Sequence, residues 1–355
     1  MSNVRASQLD LFNNASKMTP NLARVAKTSI VFTNHYGHIS WSLPAAASLL
    51  TSQYPFSHGL LQRYSLNGNL TTLPEILKIN NYTTIAFTSG GDWRKIYGLG
   101  QGFDIFDDND KSIIFTGSLQ RTTKHAVEWL RLNGKKKFFM LIQGYDAHCP
   151  YMIPKEIPNW ISKEAITQID NYNNSIDNSL CIIGYKNEHG AYDAYYVKNV
   201  TFDPRFAVLS AVNVSEEDIA HMVDLYNLEI AYVDYLIGNF ISNLTKLNFT
   251  NNTLVIITSD HGESLGKHGI LHRAGTTRGV MYDEVLRTPL IIMHPYFNKP
   301  KTIKALVQSI DVMPTILDFL NVSIPAEASG VSLVPLIKED VDRLHDYIFA
   351  GGNFT

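Results

Sequence analysis

Two cysteines in 355 residues, Cys149 and Cys181, provide no disulfide framework, and neither lies in a Cys-x-x-Cys pair. The redox compartment is therefore left open. No run of about 18 apolar residues occurs, and the first residues lack the hydrophobic region of a signal peptide, so the chain as written is expected to be soluble, with no membrane span and no export signal. No Pro/Gly/Ser-rich linker divides the chain, which favours one large α/β domain carrying long insertions over two average ones. Internal repeats and low-complexity tracts are also missing. There is no basic block, and the net charge is −3, which argues against a polyanionic nucleic acid as partner and suits a small ester better. With 45% hydrophobic and 18% charged residues, the chain has the composition of an ordinary globular protein with a sizeable core.

Against that background one stretch stands out, TLVIITSDHGESLGKHGILH from Thr253 to His272. Leu254 to Thr258 reads as a buried strand that stops at Asp260 and His261. In an open α/β sheet, ligands bind where loops leave the carboxyl ends of strands, and a carboxylate beside an imidazole there can share one divalent ion. Gly262, Gly266 and Gly269 allow the next loop to fold back, and His268 and His272 are expected to return towards the same rim.

Two further segments carry candidate chemistry. In SLPAAASLLTSQYP, Pro44 suits a first helical turn, and alanines and leucines continue the helix, so Ser42 sits at a helix N-terminus. Unpaired N–H groups and the positive end of the helix dipole favour an anion there, yet serine is equally suited to capping, and both roles stay open. Phe138 to Ile142 is a short apolar strand ending in GYDAHCPY, where His148 is either a candidate for acid–base chemistry or a turn histidine. Residues 153 to 214 show little periodicity and many Tyr, Asn and Asp, and are read as an inserted lid. From Ser215 a capping box with Asp218 opens a long amphipathic helix that delivers the chain to the Asp-His strand.

Taken in order, TPNLARVAKTSIVFTN, SLPAAASLLTSQYP, FDIFDD, DAHCPY, the 215–247 helix, TLVIITSDHGE, YDEVLRTPLII and VMPTILDFL resemble the sulfatase family of the alkaline phosphatase superfamily over nearly the whole chain. The resemblance implies a mostly parallel or mixed central sheet with helices on both faces. It implies a catalytic domain over residues 1–340 whose first strand is missing, with 341–355 opening a truncated C-terminal segment. It places Ser42 at the nucleophile position, Asp260 and His261 as a metal-ligand pair, and His148 against the transferred group or the leaving oxygen, with His148 or His272 protonating the latter. One divalent ion is implied, calcium being most family-typical and Mg, Mn or Zn possible alternatives. The substrate implied is a small-molecule or glycan sulfate or phosphate ester; a phosphodiesterase, a phosphotransferase or a noncatalytic anion-binding homologue are the alternatives. Three departures qualify this. Ala45 and Ala46 replace the Ser and Arg of the signature that directs formylglycine formation, which makes that modification of Ser42 unexpected. The acids that end the family's first strand fall near Ser2 and Asn3. The Lys and His of arylsulfatases are unmatched in FTSGGDWRK.

Overall fold

A computed structural model describes the chain apart from residues 14–16, 109–117, 155, 173–176, 178–180, 199–207, 273–279, 297–298 and 352–355. Ten strands are described: β1 (Ile30–Tyr36), β2 (Thr83–Phe87), β3 (Ile105–Asp107), β4 (Phe138–Ile142), β5 (Cys181–Lys186), β6 (Tyr192–Lys198), β7 (Val208–Val212), β8 (Val255–Thr258), β9 (Leu290–Met293) and β10 (Lys301–Gln308). The helices are α1 (Pro20–Ala26), α2 (Ser42–Thr51), α3 (Pro55–His58), α4 (Leu73–Ile79), α5 (Leu119–Asn133), α6 (Lys163–Asp170), α7 (Glu216–Lys246), α8 (Asp283–Leu286), α9 (Val312–Phe319) and α10 (Val334–Lys338). No described helix is long and apolar enough to cross a membrane.

The α/β architecture matches the sequence reading, but the central sheet is interrupted. One half has the order β10-β1-β9-β8 and the other β3-β2-β4. β1 runs parallel to β10 and antiparallel to β9, and β2 runs parallel to both its neighbours, so the whole is mixed. β8 and β4, both expected as buried strands, are only half-buried along most of their length. Each forms the outer edge of its half-sheet, and their facing edges line a slot instead of pairing.

Local chemistry explains why the elements begin where they do. The Ser215 side chain accepts from the backbone N–H of Asp218 (3.0 Å), while the Asp218 carboxylate accepts from the backbone N–H of Ser215 (2.9 Å). That reciprocal cap nucleates the 31 residues of α7. Its inward stripe, including Tyr226, Ile230 and Val233, anchors the largest apolar cluster together with Val4, Leu22 and Ile257. Residues 153–214 are more regular than the sequence suggests. The described part contains α6 and the antiparallel sheet β5-β6-β7, in which Tyr192 and Tyr196 of β6 pack on the core while Tyr195 is exposed. This sheet joins the Asp-His loop through the Leu271 N–H, which donates to the Gly184 carbonyl (3.0 Å). The two cysteines are also not idle: Cys149 and Cys181 form a disulfide with Cα atoms 5.2 Å apart, tying the loop after β4 to β5. A count of two says nothing about proximity, and this pair is brought together only by the tertiary fold.

His35 on β1 is fully buried, and desolvation pushes its pKa down to about 3. A base held neutral in the native state gives stability that is present above its unfolded pKa near 6.5 and lost as pH falls towards its folded value. Buried Asp146 and Asp234, both raised to about 6 by desolvation, act in the opposite sense between about pH 6 and 4. The raw acid curve therefore mixes signs, and the comparison with a variant isolates one group. His35→Gln is expected to lose less stability than the parent between pH 6.5 and 4, by up to about 3 kcal/mol. Parallel denaturant titrations at the two pH values check this; identical pH slopes would refute it.

Candidate functional site

Ser42 is the first residue of α2, and Trp41 before it is the flanking cap. Trp41, not Ser42, occupies the N-cap position, so Ser42 does not fill the capping role the sequence left open. Instead Ser42 Oγ lies 3.0 Å from His261 Nε2, and both residues are completely buried. His261 Nδ1 is 2.9 Å from the Gly262 carbonyl, an oxygen that can only accept. The ring proton is thereby held on Nδ1, leaving the Nε2 lone pair directed at the serine hydroxyl. Gly262 is needed for this turn, because a Cβ there would come within 2.1 Å of the Glu284 carbonyl oxygen.

Asp260 lies beside this pair, its Oδ2 3.7 Å from His261 Nε2. Its Oδ1 accepts from the backbone N–H groups of Asn3 (3.2 Å) and His261 (2.9 Å), and Trp93 Nε1 donates to Oδ2 over 3.4 Å. Tyr145 approaches Ser42 from the end of β4. Its phenol is hydrogen-bonded with Ser42 and accepts from the backbone N–H of Asp92 (3.0 Å). Burial, reinforced by the negative charges of Asp92 and Asp260, raises its pKa well above the usual tyrosine value, so the phenol keeps its proton.

His148 and His272 are also brought here. Their rings are 5.9 Å apart, and His148 packs edge-on against Tyr145 at 5.5 Å. Each is oriented through Nδ1: His148 towards the Cys149 carbonyl (2.6 Å), His272 towards Glu263 Oε2 (2.9 Å). Glu263 Oε2 also accepts from Asn3 Nδ2 (3.0 Å), and Arg5 donates to the carbonyls of Glu263 and Ser264. Thus Ser42, His148, Asp260, His261 and His272 form one connected constellation at the carboxyl ends of β4 and β8. His268 does not join it. It is half-exposed, pairs with Glu284 (3.1 Å) and stacks on Tyr282 at 3.8 Å.

Trp93, Tyr145 and Glu263 were not singled out by the sequence, and Asn3 was marked only as standing where the family carries an acid. GlyGlyAspTrp and GYDAHCPY did mark loops after apolar strands, which was the available signal for Trp93 and Tyr145. Asp92, within FTSGGDWRK, serves the scaffold. It accepts from Trp41 Nε1 (2.6 Å) and pairs with Arg63 (2.9 Å), holding the start of α2.

The donors present suit one divalent ion. Asp260 Oδ2 offers a charge and His261 Nε2 an imidazole, and Asn3 Oδ1 is buried with no hydrogen-bond partner. An amide oxygen left unpaired in the interior costs free energy that a cation would recover. Ser2, the other position where the family carries an acid, instead accepts from Gln143 Nε2 (3.0 Å).

A sequence profile described as Sulfatase matches residues 2–322. Among curated proteins, the chain is 26% identical to an N-acetylglucosamine-6-O-sulfatase of Bacteroides thetaiotaomicron, over 91% of this chain and 67% of that protein. It is 27% identical to mouse (Mus musculus) arylsulfatase K over 66% of this chain and 40% of that protein. The chain thus spans between two fifths and two thirds of the length of these relatives. Among solved structures, a phosphonate monoester hydrolase from Silicibacter pomeroyi aligns with a TM-score of 0.67 at 18% identity, over 98% of this chain and 78% of that one. At that identity the likeness establishes the fold alone.

Proposed function

The chain belongs to the sulfatase family, and from that premise we propose that it hydrolyses sulfate or phosphate esters with Ser42 as nucleophile. The observation that carries this is the 3.0 Å contact between Ser42 Oγ and the Nε2 lone pair of His261, buried at a helix N-terminus. The family generally uses a divalent metal ion. Here Asp260, His261 and Asn3 would hold it, calcium being the family-typical choice. Such an ion, when bound, neutralises charge on the nonbridging oxygens and lowers the pKa of a hydroxyl beside it.

The protein groups divide the remaining work. With no ion bound, His261 Nε2 accepts a hydrogen bond from Ser42; were that lone pair on the ion, Ser42 would lose its proton to solvent, and Tyr145 supplies a proton donor to the same oxygen as negative charge develops there. N–H groups at the start of α2 face the anionic oxygens of the ester. Ser42 Oγ forms a bond to sulfur or phosphorus in line with departure of the bridging oxygen. That oxygen takes a proton from His148 or His272 and leaves as a neutral alcohol. Water then attacks the serine ester, releasing the inorganic anion and restoring the hydroxyl. Residues 153–214 act as a lid over the site, since β5 is bonded to the loop that bears His272 and is tied by the disulfide to the loop that bears His148.

With Ala45 and Ala46 in the signature, Ser42 is read as remaining a serine. It then lacks the aldehyde route by which formylglycine expels sulfate, so the second step is easier at phosphorus than at sulfur. Side-by-side turnover of matched sugar sulfate and phosphate monoesters, with intact mass of the Ser42 peptide, tests the reading. Phosphate turnover equal to or above sulfate turnover, with no loss of about 2 Da, is expected. A mass deficit with sulfate-only turnover would overturn it. A noncatalytic anion-binding role is the second reading, favoured by Ser2 and Asn3 standing where the family has acids; saturable sulfate binding without turnover of either ester would select it.

A further inference from the structure

The disulfide between Cys149 and Cys181 stands directly beside His148. The two sulfurs and one ring nitrogen of His148 lie within 4.8 Å of one another, the only such group of three His, Cys, Asp or Glu ligand atoms among the described residues. Nothing in the ester chemistry calls for the two thiols. His148 and Cys149 are buried, while Cys181 is half-buried at the start of β5, which gives a reductant an approach to the sulfur–sulfur bond from that side.

This donor set differs in kind from that of Asp260, His261 and Asn3. It contains no oxygen, and two thiolates with an imidazole suit zinc, whereas calcium and magnesium require oxygen ligands. Geometry permits it as well. Two thiolates on one tetrahedral zinc ion stand about 3.8 Å apart, a separation that rotation about the Cα–Cβ bonds reaches from Cα atoms 5.2 Å apart once the S–S bond is broken.

We propose that, with the disulfide reduced, Cys149, Cys181 and His148 form a zinc site, a second metal centre that only the dithiol form of the protein possesses. A small dithiol supplies two electrons and two protons to the S–S bond and is itself oxidised to its disulfide; the ion then displaces both thiol protons, and water fills its fourth position. Zinc thus joins the same two segments as the disulfide. The lid sheet stays cross-linked to the loop after β4 in the oxidised and in the zinc-loaded state, and only the metal-free dithiol lacks that tie. Occupancy has a second effect. A ring nitrogen on zinc has given up the lone pair with which His148 takes and returns a proton, so the loaded protein loses that group to acid–base work. This second effect rests on the reading of His148 as proton donor to the leaving oxygen; the binding does not.

Cobalt(II) is the probe, because a thiolate bound to it absorbs in the near ultraviolet and the chain has just the two cysteines. The band therefore reports this site even when cobalt also occupies Asp260 and His261. Full-chain protein reduced with a dithiol and desalted without air should develop the band, saturating at a single thiolate-bound ion, and lose it to zinc; the oxidised protein should show none. Cys181→Ser should abolish the band, and His148→Ala, reduced, should weaken zinc binding at least about tenfold, both read on protein with native circular dichroism. The comparison of reduced with oxidised parent needs no variant. Absence of the band in the reduced parent, or equal affinity in His148→Ala, would overturn the site. Turnover, measured with and without zinc, should fall at least about tenfold further in the reduced than in the oxidised protein. A band with equal turnover in the two forms would overturn the effect on His148 and leave the metal centre standing.

Discussion

Ser42→Ala is expected to lower ester turnover by about 10⁴-fold or more, the scale seen when the nucleophile of a covalent mechanism is removed. The variant should still fold. Alanine is the better helix former, and it adds no volume at a position with no exposed surface. What it loses is the hydrogen bond to His261 and the one shared with Tyr145. Leaving those buried partners unsatisfied costs on the order of 1–3 kcal/mol, a lower melting temperature with native circular dichroism. If His261 or solvent performed the displacement directly, turnover would survive within tenfold, and the covalent role of Ser42 would be abandoned. Trapping a serine-linked phosphate by rapid acid quench in the parent, and its disappearance in the variant, provides an independent reading.

Asp260→Asn separates the metal question from the nucleophile. Asparagine has the same shape, and its carbonyl oxygen can still accept from the backbone N–H groups of Asn3 and His261. The charge is gone, and it is the only carboxylate in the donor set of Asp260, His261 and Asn3. Affinity for Ca²⁺, Mg²⁺ or Mn²⁺, measured by calorimetry on chelator-treated protein, should fall by at least about 100-fold, with turnover falling in parallel. An effect at a distance accompanies this. Asp260 partly offsets the desolvation that depresses the Met1 amino group, so removing its charge should lower that pKa further. Unchanged metal affinity in the variant would move the ion elsewhere, with Asp260 reduced to a scaffold for the first residues.

What could be seen in the sequence, and what could not, follows from the range over which the responsible forces act. The Asp260–His261 pair was legible because an apolar run ended at it, and Ser42 because proline and alanines fixed a helix start around it. α7 announced itself through its capping box and stripe. Asn3 was marked only by the resemblance, as a place where the family carries an acid; its backbone reaches Asp260 and its side chain Glu263 only because residues some 260 positions apart meet. Glu263 looked like a loop acid and turned out to orient His272. The half-burial of β4 and β8 was invisible for another reason. Composition records what a strand is able to bury, and both segments are as apolar as a central strand; whether a neighbour lies alongside is decided elsewhere in the chain. The tyrosines of residues 192–196 were read as irregular because the core side of Tyr192 and Tyr196 and the outer side of Tyr195 are defined only once β5 and β7 flank them.

The pairing of β1 with β10 has a consequence for how the protein is made. Ile30 faces Lys301 and Tyr36 faces Gln308, so the strand β1 of the four-stranded half-sheet waits until residues 301–308 have been synthesised before its parallel partner exists. Its antiparallel partner β9 arrives only slightly earlier, opposite Ile30 to Phe32. During that interval the apolar face of β1, Ile30 and Phe32, is without the cluster it shares with Leu290, Ile292 and Ile303 in the finished molecule. Loop closure over such a span is slow compared with forming α2 or α7. A nascent chain therefore carries a helix bearing Ser42 through the 219 positions that separate it from His261 with no Asp260 or His261 to meet it. Chaperone occupancy on ribosome-bound intermediates should accordingly persist until β9 and β10 have emerged, well after the helix bearing Ser42 has formed.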